Sequence, residues 1–165
     1  ENTKLIVYAQ HVDSKTGNRD TGFLTARAIK DAGGIGTLFN QSEHPLRLEQ
    51  IKLIARECRK QNLRFIICTA NLNQIKYLIK LKPFAIAYEE PKLIATKNSI
   101  TNYPVKILNF VKYFSKSKTF PLCGAGINTE KDVEAAIRLG CKGVLISSAI
   151  IKSKNPKNLI KKFDL

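Results

Sequence analysis

A parallel α/β fold is the architecture this sequence predicts. Three observations carry that expectation: short apolar runs recur about every twenty to thirty-five residues, helix-period stretches lie between them, and polar residues cluster after each run. The runs are near-continuously apolar rather than alternating, which is the pattern of strands buried on both faces. Six βα units in series result, in a single domain over residues 1–165. Periodicity does not choose between a doubly wound sheet and a closed barrel, and six strands fall short of the eight that a closed barrel needs.

The first run, Leu5-Ile6-Val7-Tyr8-Ala9, leads into Gln10-His11 and Asp13. The second, Ile35-Gly36-Thr37-Leu38-Phe39, leads into Asn40-Gln41-Ser42-Glu43, after which Leu46, Ile51, Leu53, Ile54 and Cys58 recur at helical spacing. Phe65-Ile66-Ile67-Cys68 is followed by Thr69 and Asn71, and Phe84-Ala85-Ile86-Ala87-Tyr88 by Glu89-Glu90. The fifth run, Phe120-Pro121-Leu122-Cys123, opens into Gly124-Ala125-Gly126-Ile127-Asn128. There Thr129 and Asp132 mark a helix start, and Gly140 its end. Gly143-Val144-Leu145-Ile146 is the sixth run, ending in Ser147-Ser148.

Twenty-eight basic against thirteen acidic side chains give a net charge of +15. The lysines are scattered along helix-like segments rather than gathered in an arm or interleaved with aromatic residues, so nucleic acid is not the expected partner. A positive field instead suits an anionic small molecule. Cys58, Cys68, Cys123 and Cys141 are widely spaced without a CxxC pair, and only His11 and His44 could join them around a metal. Free buried thiols are expected, with neither metal nor cofactor. No apolar run reaches membrane-spanning length and no signal-peptide pattern is present, so a soluble cytoplasmic protein is expected. The chain begins at Glu1 and contains no methionine, which suggests a fragment or one product of a split or processed chain.

Ligands in parallel α/β folds sit beyond the carboxyl ends of the strands. Gly124 and Gly126 leave backbone N–H groups free to close on an anion, and Ser147-Ser148 follow one unit later. Barrels commonly hold phosphate with the loops after their last two strands, so the pairing points to a phosphate grip. Glu89 emerges from an apolar run, where partial desolvation would raise its pKa as a general base requires; Glu90 is an equal candidate from spacing alone.

At these residues the chain resembles the archaeal triosephosphate isomerases. Ala9-Gln10-His11-Val12-Asp13 with Thr21-Gly22 is similar to that family's third-strand loop. Ile35 to Glu43 looks like its fourth-strand segment, and Tyr88 to Thr96 like the segment with the catalytic glutamate and the start of the mobile lid. Leu122 to Thr129 and Gly143 to Ser148 match its two phosphate loops. The resemblance implies a (β/α)8 TIM barrel of which about six units are present, equivalent to strands three to eight, so that the barrel is incomplete. It implies interconversion of dihydroxyacetone phosphate and D-glyceraldehyde 3-phosphate through an enediolate, with Glu89 as base. Gln41 falls at the carbonyl-polarising position, and Ile94, Gly124, Gly126, Ser147 and Ser148 fall at the substrate and phosphate. Dimers or tetramers built partly on the loop from His11 to Thr21, or a complementing N-terminal segment, are the implied partners.

Three departures bear on activity. Gln41 stands where the family has histidine; an amide can donate to an oxyanion but does not readily shuttle a proton, so impaired chemistry is expected. His44, three residues on, is at a different position after the strand and is not the expected substitute. Ala95-Thr96-Lys97 replaces a Gly-Thr-Gly lid motif, and Ala149 replaces a later glycine, narrowing the conformations of both loops. The family's Asn-x-Lys strand and second βα unit have no counterpart, so residues 1–165 by themselves are expected to turn over weakly. Competing readings are a non-catalytic phosphate-binding or assembly relative, another sugar-phosphate barrel enzyme, and a basic nucleic-acid binder.

Overall fold

The computed structural model describes residues 5–15 and 19–163. In chain order the regular elements are β1 (Tyr8–Ala9), α1 (Ala26–Asp31), β2 (Gly36–Phe39), α2 (Leu48–Lys60), β3 (Arg64–Thr69), α3 (Ile75–Lys80), β4 (Ala85–Glu89), α4 (Pro104–Val111), β5 (Phe120–Gly124), α5 (Glu130–Arg138), α6 (Ser148–Ile151) and α7 (Pro156–Phe163). Among the described residues the five strands form one parallel sheet in the order β1-β2-β3-β4-β5. Every neighbour in the sheet is the next strand in sequence, as in a barrel wall, and the sheet is open rather than closed.

Local chemistry sets the boundaries. The Thr25 hydroxyl accepts from the Ala28 N–H at 3.1 Å to start α1. At α5, Thr129 Oγ1 accepts from Asp132 N at 3.2 Å while Asp132 Oδ2 accepts from Thr129 N at 2.8 Å, a reciprocal capping box. α1, α2, α3 and α5 each end two residues before a left-handed residue: Gly33, Asn62, Lys82 and Gly140. That turn satisfies the last helical carbonyls and reverses the chain toward the next strand.

Two apolar layers follow from strand alternation. Outward-facing Phe39, Phe65, Ile67, Ile86 and Tyr88 pack with Ile54, Cys58, Leu78, Ile107 and Phe110 of the helices in the main core. Inward-facing Ile66, Cys68, Ala85 and Ala87 form a second cluster with Leu38, Leu122 and Leu145. All four cysteines are buried and free.

Two of the six expected strands differ. The first run contributes only Tyr8–Ala9 to the ladder, and Leu5, Ile6 and Val7 are 76%, 61% and 66% exposed rather than buried on both faces. The sixth run makes a single bridge, Val144 to Cys123, supported by Leu145 N donating to Cys123 O at 2.8 Å. Both segments lie at the edges of the sheet, where the ladder is one-sided and pairing is short.

Candidate active site

Beyond the carboxyl ends of the strands lies a cavity of about 610 Å³. Gln41, Glu89, Ile94, Gly126, Ser147 and Ser148 all line it, from four different loops. The site is therefore assembled by the order of the βα units rather than by any one segment.

Glu89 ends β4 and continues the inward alternation of Ala85 and Ala87. Burial raises its carboxyl above the ordinary range. A hydrogen bond with the Cys68 thiol offsets this in part, and the charge of Glu43 pushes it up further. Gly124 is the register partner of Glu89 across the β4–β5 ladder. A methyl group there would lie 3.2 Å from Glu89 Oε1 and 3.2 Å from the Leu145 Cβ, so the glycine keeps open the space that the carboxylate occupies. Glu90 points elsewhere: its Oε2 pairs with Lys106 Nζ at 2.5 Å. Of the two acids that spacing leaves open, Glu89 is the one that lines the cavity.

Asn40 organises the opposite wall. It adopts a left-handed backbone (φ 63°), its Nδ2 donates to Cys68 O at 2.6 Å, and its Oδ1 accepts from Leu46 N at 2.8 Å. Residues 41 to 44 are thereby held as a turn over the strand ends. The Gln41 amide nitrogen donates to the Gln10 carbonyl, which orients its side chain along the wall. His11 and His44 also line the cavity, their ring centroids 4.5 Å apart, and His11 Nε2 lies 3.2 Å from Asp13 Oδ1.

The third wall couples two loops. Gly126 has φ 69°, and a Cβ on it would collide with the Asn98 carbonyl oxygen, so only glycine fits this approach of the two chains. Ile100 N donates to Ala125 O at 3.1 Å, and Asn128 Nδ2 reaches both Gly126 O at 2.6 Å and Thr96 O at 3.2 Å. Segment 94–100 is thus tied to the turn after β5. Ala95 and Ala125, on either side of this junction, both hold left-handed backbone (φ 57° and 79°) despite carrying a Cβ.

Among the described residues no group of three or more His, Cys, Asp or Glu side chains could hold a metal ion. Sequence reasoning did not foresee the Cys68 contact to Glu89, nor His44 in the cavity wall. The first was available in principle, since Cys68 shares the inward parity of Ala87 and Glu89 in the β3–β4 register.

The pattern of the family described as triosephosphate isomerase matches residues 1–163. The chain is a triosephosphate isomerase family member. Similar curated relatives are the triosephosphate isomerase of Methanocaldococcus jannaschii, 39% identical over 98% of this chain and 75% of its own length, and that of Sulfolobus acidocaldarius, 36% identical over 99% of this chain and 72% of its own. A solved structure, the Amycolatopsis orientalis BexX/CysO complex, superposes with a TM-score of 0.63 at 17% identity. It covers 84% of this chain, which spans 57% of that one, and shows the fold alone. Family membership joins the open five-stranded sheet to the barrel architecture: the strand order seen here is that of consecutive units in a triosephosphate isomerase wall.

Proposed function

We propose that this chain carries the proton-transfer and phosphate-binding parts of a triosephosphate isomerase site, with Glu89 as the base. The observation that supports this most is Glu89 itself: a desolvated carboxyl with a raised pKa at the rim of the sheet, facing a cavity shared with the glycine and serine loops. In the proposed reaction Glu89 takes a proton from the carbon beside the carbonyl of the triose phosphate, an enediolate forms, and Glu89 returns the proton to the neighbouring carbon. Gln41 has one amide hydrogen beyond the one given to Gln10 and donates it toward the developing oxyanion. Ile94, Gly126, Ser147 and Ser148 surround the phosphate, while Gly124, expected beside them, is not among the cavity-lining residues and instead makes room for the base. Segment 94–100, tied to the β5 turn through Asn128, serves as the lid that excludes water.

An oligomer formed partly through the loop from His11 to Thr21, or a complementing N-terminal segment, and a cytoplasmic setting belong to the same reading. Residues 16–18 of that loop lie outside the described residues. No helix among the described residues is long and apolar enough to cross a membrane. A second reading, phosphate binding without turnover, is favoured by the amide at Gln41 and by Ala95 in the lid.

The test is incubation of the full-length protein with dihydroxyacetone phosphate in deuterated water, followed by proton NMR. Appearance of the aldehyde isomer with deuterium on the carbon that received the proton supports the reading. Phosphate-ligand binding with no isomer formed would move the protein to the second.

A further inference from the structure

The reaction proposed for this cavity moves two kinds of proton, one between carbons and one between the substrate oxygens. Glu89 serves the first. Gln41 cannot serve the second, because an amide donates a hydrogen bond without exchanging its proton. The cavity nevertheless contains imidazoles on the wall that carries Gln41. His11 lies 3.2 Å through Nε2 from Asp13 Oδ1, which fixes the ring and leaves Nδ1 as the working nitrogen. Asp13 is itself rigid: its Oδ2 accepts from Leu24 N at 2.7 Å and its own N–H donates to Leu24 O at 2.8 Å. The His44 ring stands edge-on to His11, centroids 4.5 Å apart, and limits its rotation from the other side.

We infer that His11, oriented by Asp13 and walled by His44, is the oxygen-side proton carrier of this site. The inference rests on Glu89 acting as base in the same cavity. The proton count closes with Nε2–H held on the Asp13 carboxylate and the transferred proton carried by Nδ1. As Glu89 takes the carbon-bound proton, the carbonyl π bond becomes a C–O single bond, and its oxyanion, held by the Gln41 amide, then takes the proton of Nδ1 to give the enediol. When the adjacent C–O–H becomes the new carbonyl, its proton returns to the same Nδ1 while Glu89-H protonates carbon. Base and imidazole both finish in their starting forms.

A double-mutant cycle on the full-length protein tests this, using His11→Asn, Gln41→His and the pair, with kcat and KM measured by triose phosphate turnover and folding checked by thermal melting. His11→Asn alone should lower kcat about 100-fold, the low end of the usual worth of general acid–base catalysis, with KM changed less than about threefold. In the Gln41→His background, where an imidazole is supplied by another route, the same substitution should cost less than about threefold. Equal losses in both backgrounds would make His11 merely structural, and no loss in the parent would remove it from the mechanism. His11→Gln provides a second variant should the asparagine fail to fold, with the same expected pattern. Loss of turnover in Glu89→Gln together with an unaffected His11→Asn would overturn this inference alone. A full-length protein without any turnover would overturn it together with the reading on which it rests.

Discussion

Glu89 and Gly124 face each other across the β4–β5 ladder at a distance that would crowd even a methyl group at position 124. A methyl group there would sit 3.2 Å from Glu89 Oε1, tighter than ordinary packing, and Leu145 blocks retreat on the other side. Gly124→Ala should therefore displace the carboxylate by a few tenths of an ångström. Misplacement on that scale costs about tenfold in kcat. Steady-state turnover of the full-length variant, beside a melting curve showing the fold intact, checks this; an unchanged kcat would mean that the carboxylate has slack the structure does not show.

Glu89 also makes stability depend on pH. Burial, ahead of the opposing Cys68 hydrogen bond and the added push from Glu43, raises its pKa in the folded chain. A carboxyl with a raised folded pKa binds its proton more tightly when folded. Its stabilising contribution is complete below the unfolded value, and is lost as pH rises through the folded one. Glu89→Gln should thus melt at a higher temperature than the parent near neutral pH, with the difference closing in acid. Paired thermal melts across the carboxylate range read this directly, and a gap that widens toward acid would contradict the assigned burial.

Strain in the proposed lid is open to a simple substitution. Ala95 holds φ 57°, a conformation that costs a residue bearing Cβ about 1–2 kcal/mol relative to glycine. Glycine loses more chain entropy on folding, so the net gain from Ala95→Gly is smaller, about 0.5–1 kcal/mol. The melting temperature should rise by roughly 2 °C for a domain of this size. A fall would show that the left-handed turn is held by contacts of the Ala95 methyl.

The α5 capping box should be worth more than its surface position suggests. Burial acts to raise the Asp132 pKa, but hydrogen bonds from Thr129, Asn128 and Ser99 prevail and hold it below the usual value. Thr101 Oγ1 also donates to Asp132 Oδ1 at 3.1 Å, linking the helix start to the segment following the lid. Thr129→Ala should cost about 1 kcal/mol, as cap removal does. Asp132→Ala should cost more, because it also releases Thr101; equal melting temperatures for the two variants would show that the link carries no stability.

Much of this was legible from residue order. The interior strands, the Thr129–Asp132 helix start and the placing of Gln41, Glu89, Gly126, Ser147 and Ser148 beyond the strand ends follow from apolar runs and from what comes after them, whereas Ile94 was reachable only through the family resemblance. The edges were not legible, because a run such as Leu5 to Ala9 reads the same whether one neighbour or two will pair with it. Left-handed stops were recognised at Gly140 but not at Asn62 or Lys82, since neither residue announces a positive φ on its own. Glu89 and Glu90 could not be separated by spacing, yet strand parity with Ala85 and Ala87 separates them once the register is known. The pairing of His11 with His44 joins the loops after β1 and β2, which no local pattern reports.

The most direct measurement is isomerase turnover of the full-length protein against its Glu89→Gln variant. The amide keeps the size of the side chain and removes its basicity. The account predicts a loss of at least about 1,000-fold in kcat, within the range that general-base catalysis supplies, with triose phosphate binding retained. Turnover by Glu89→Gln within tenfold or so of the parent would contradict the account and remove Glu89 as the base.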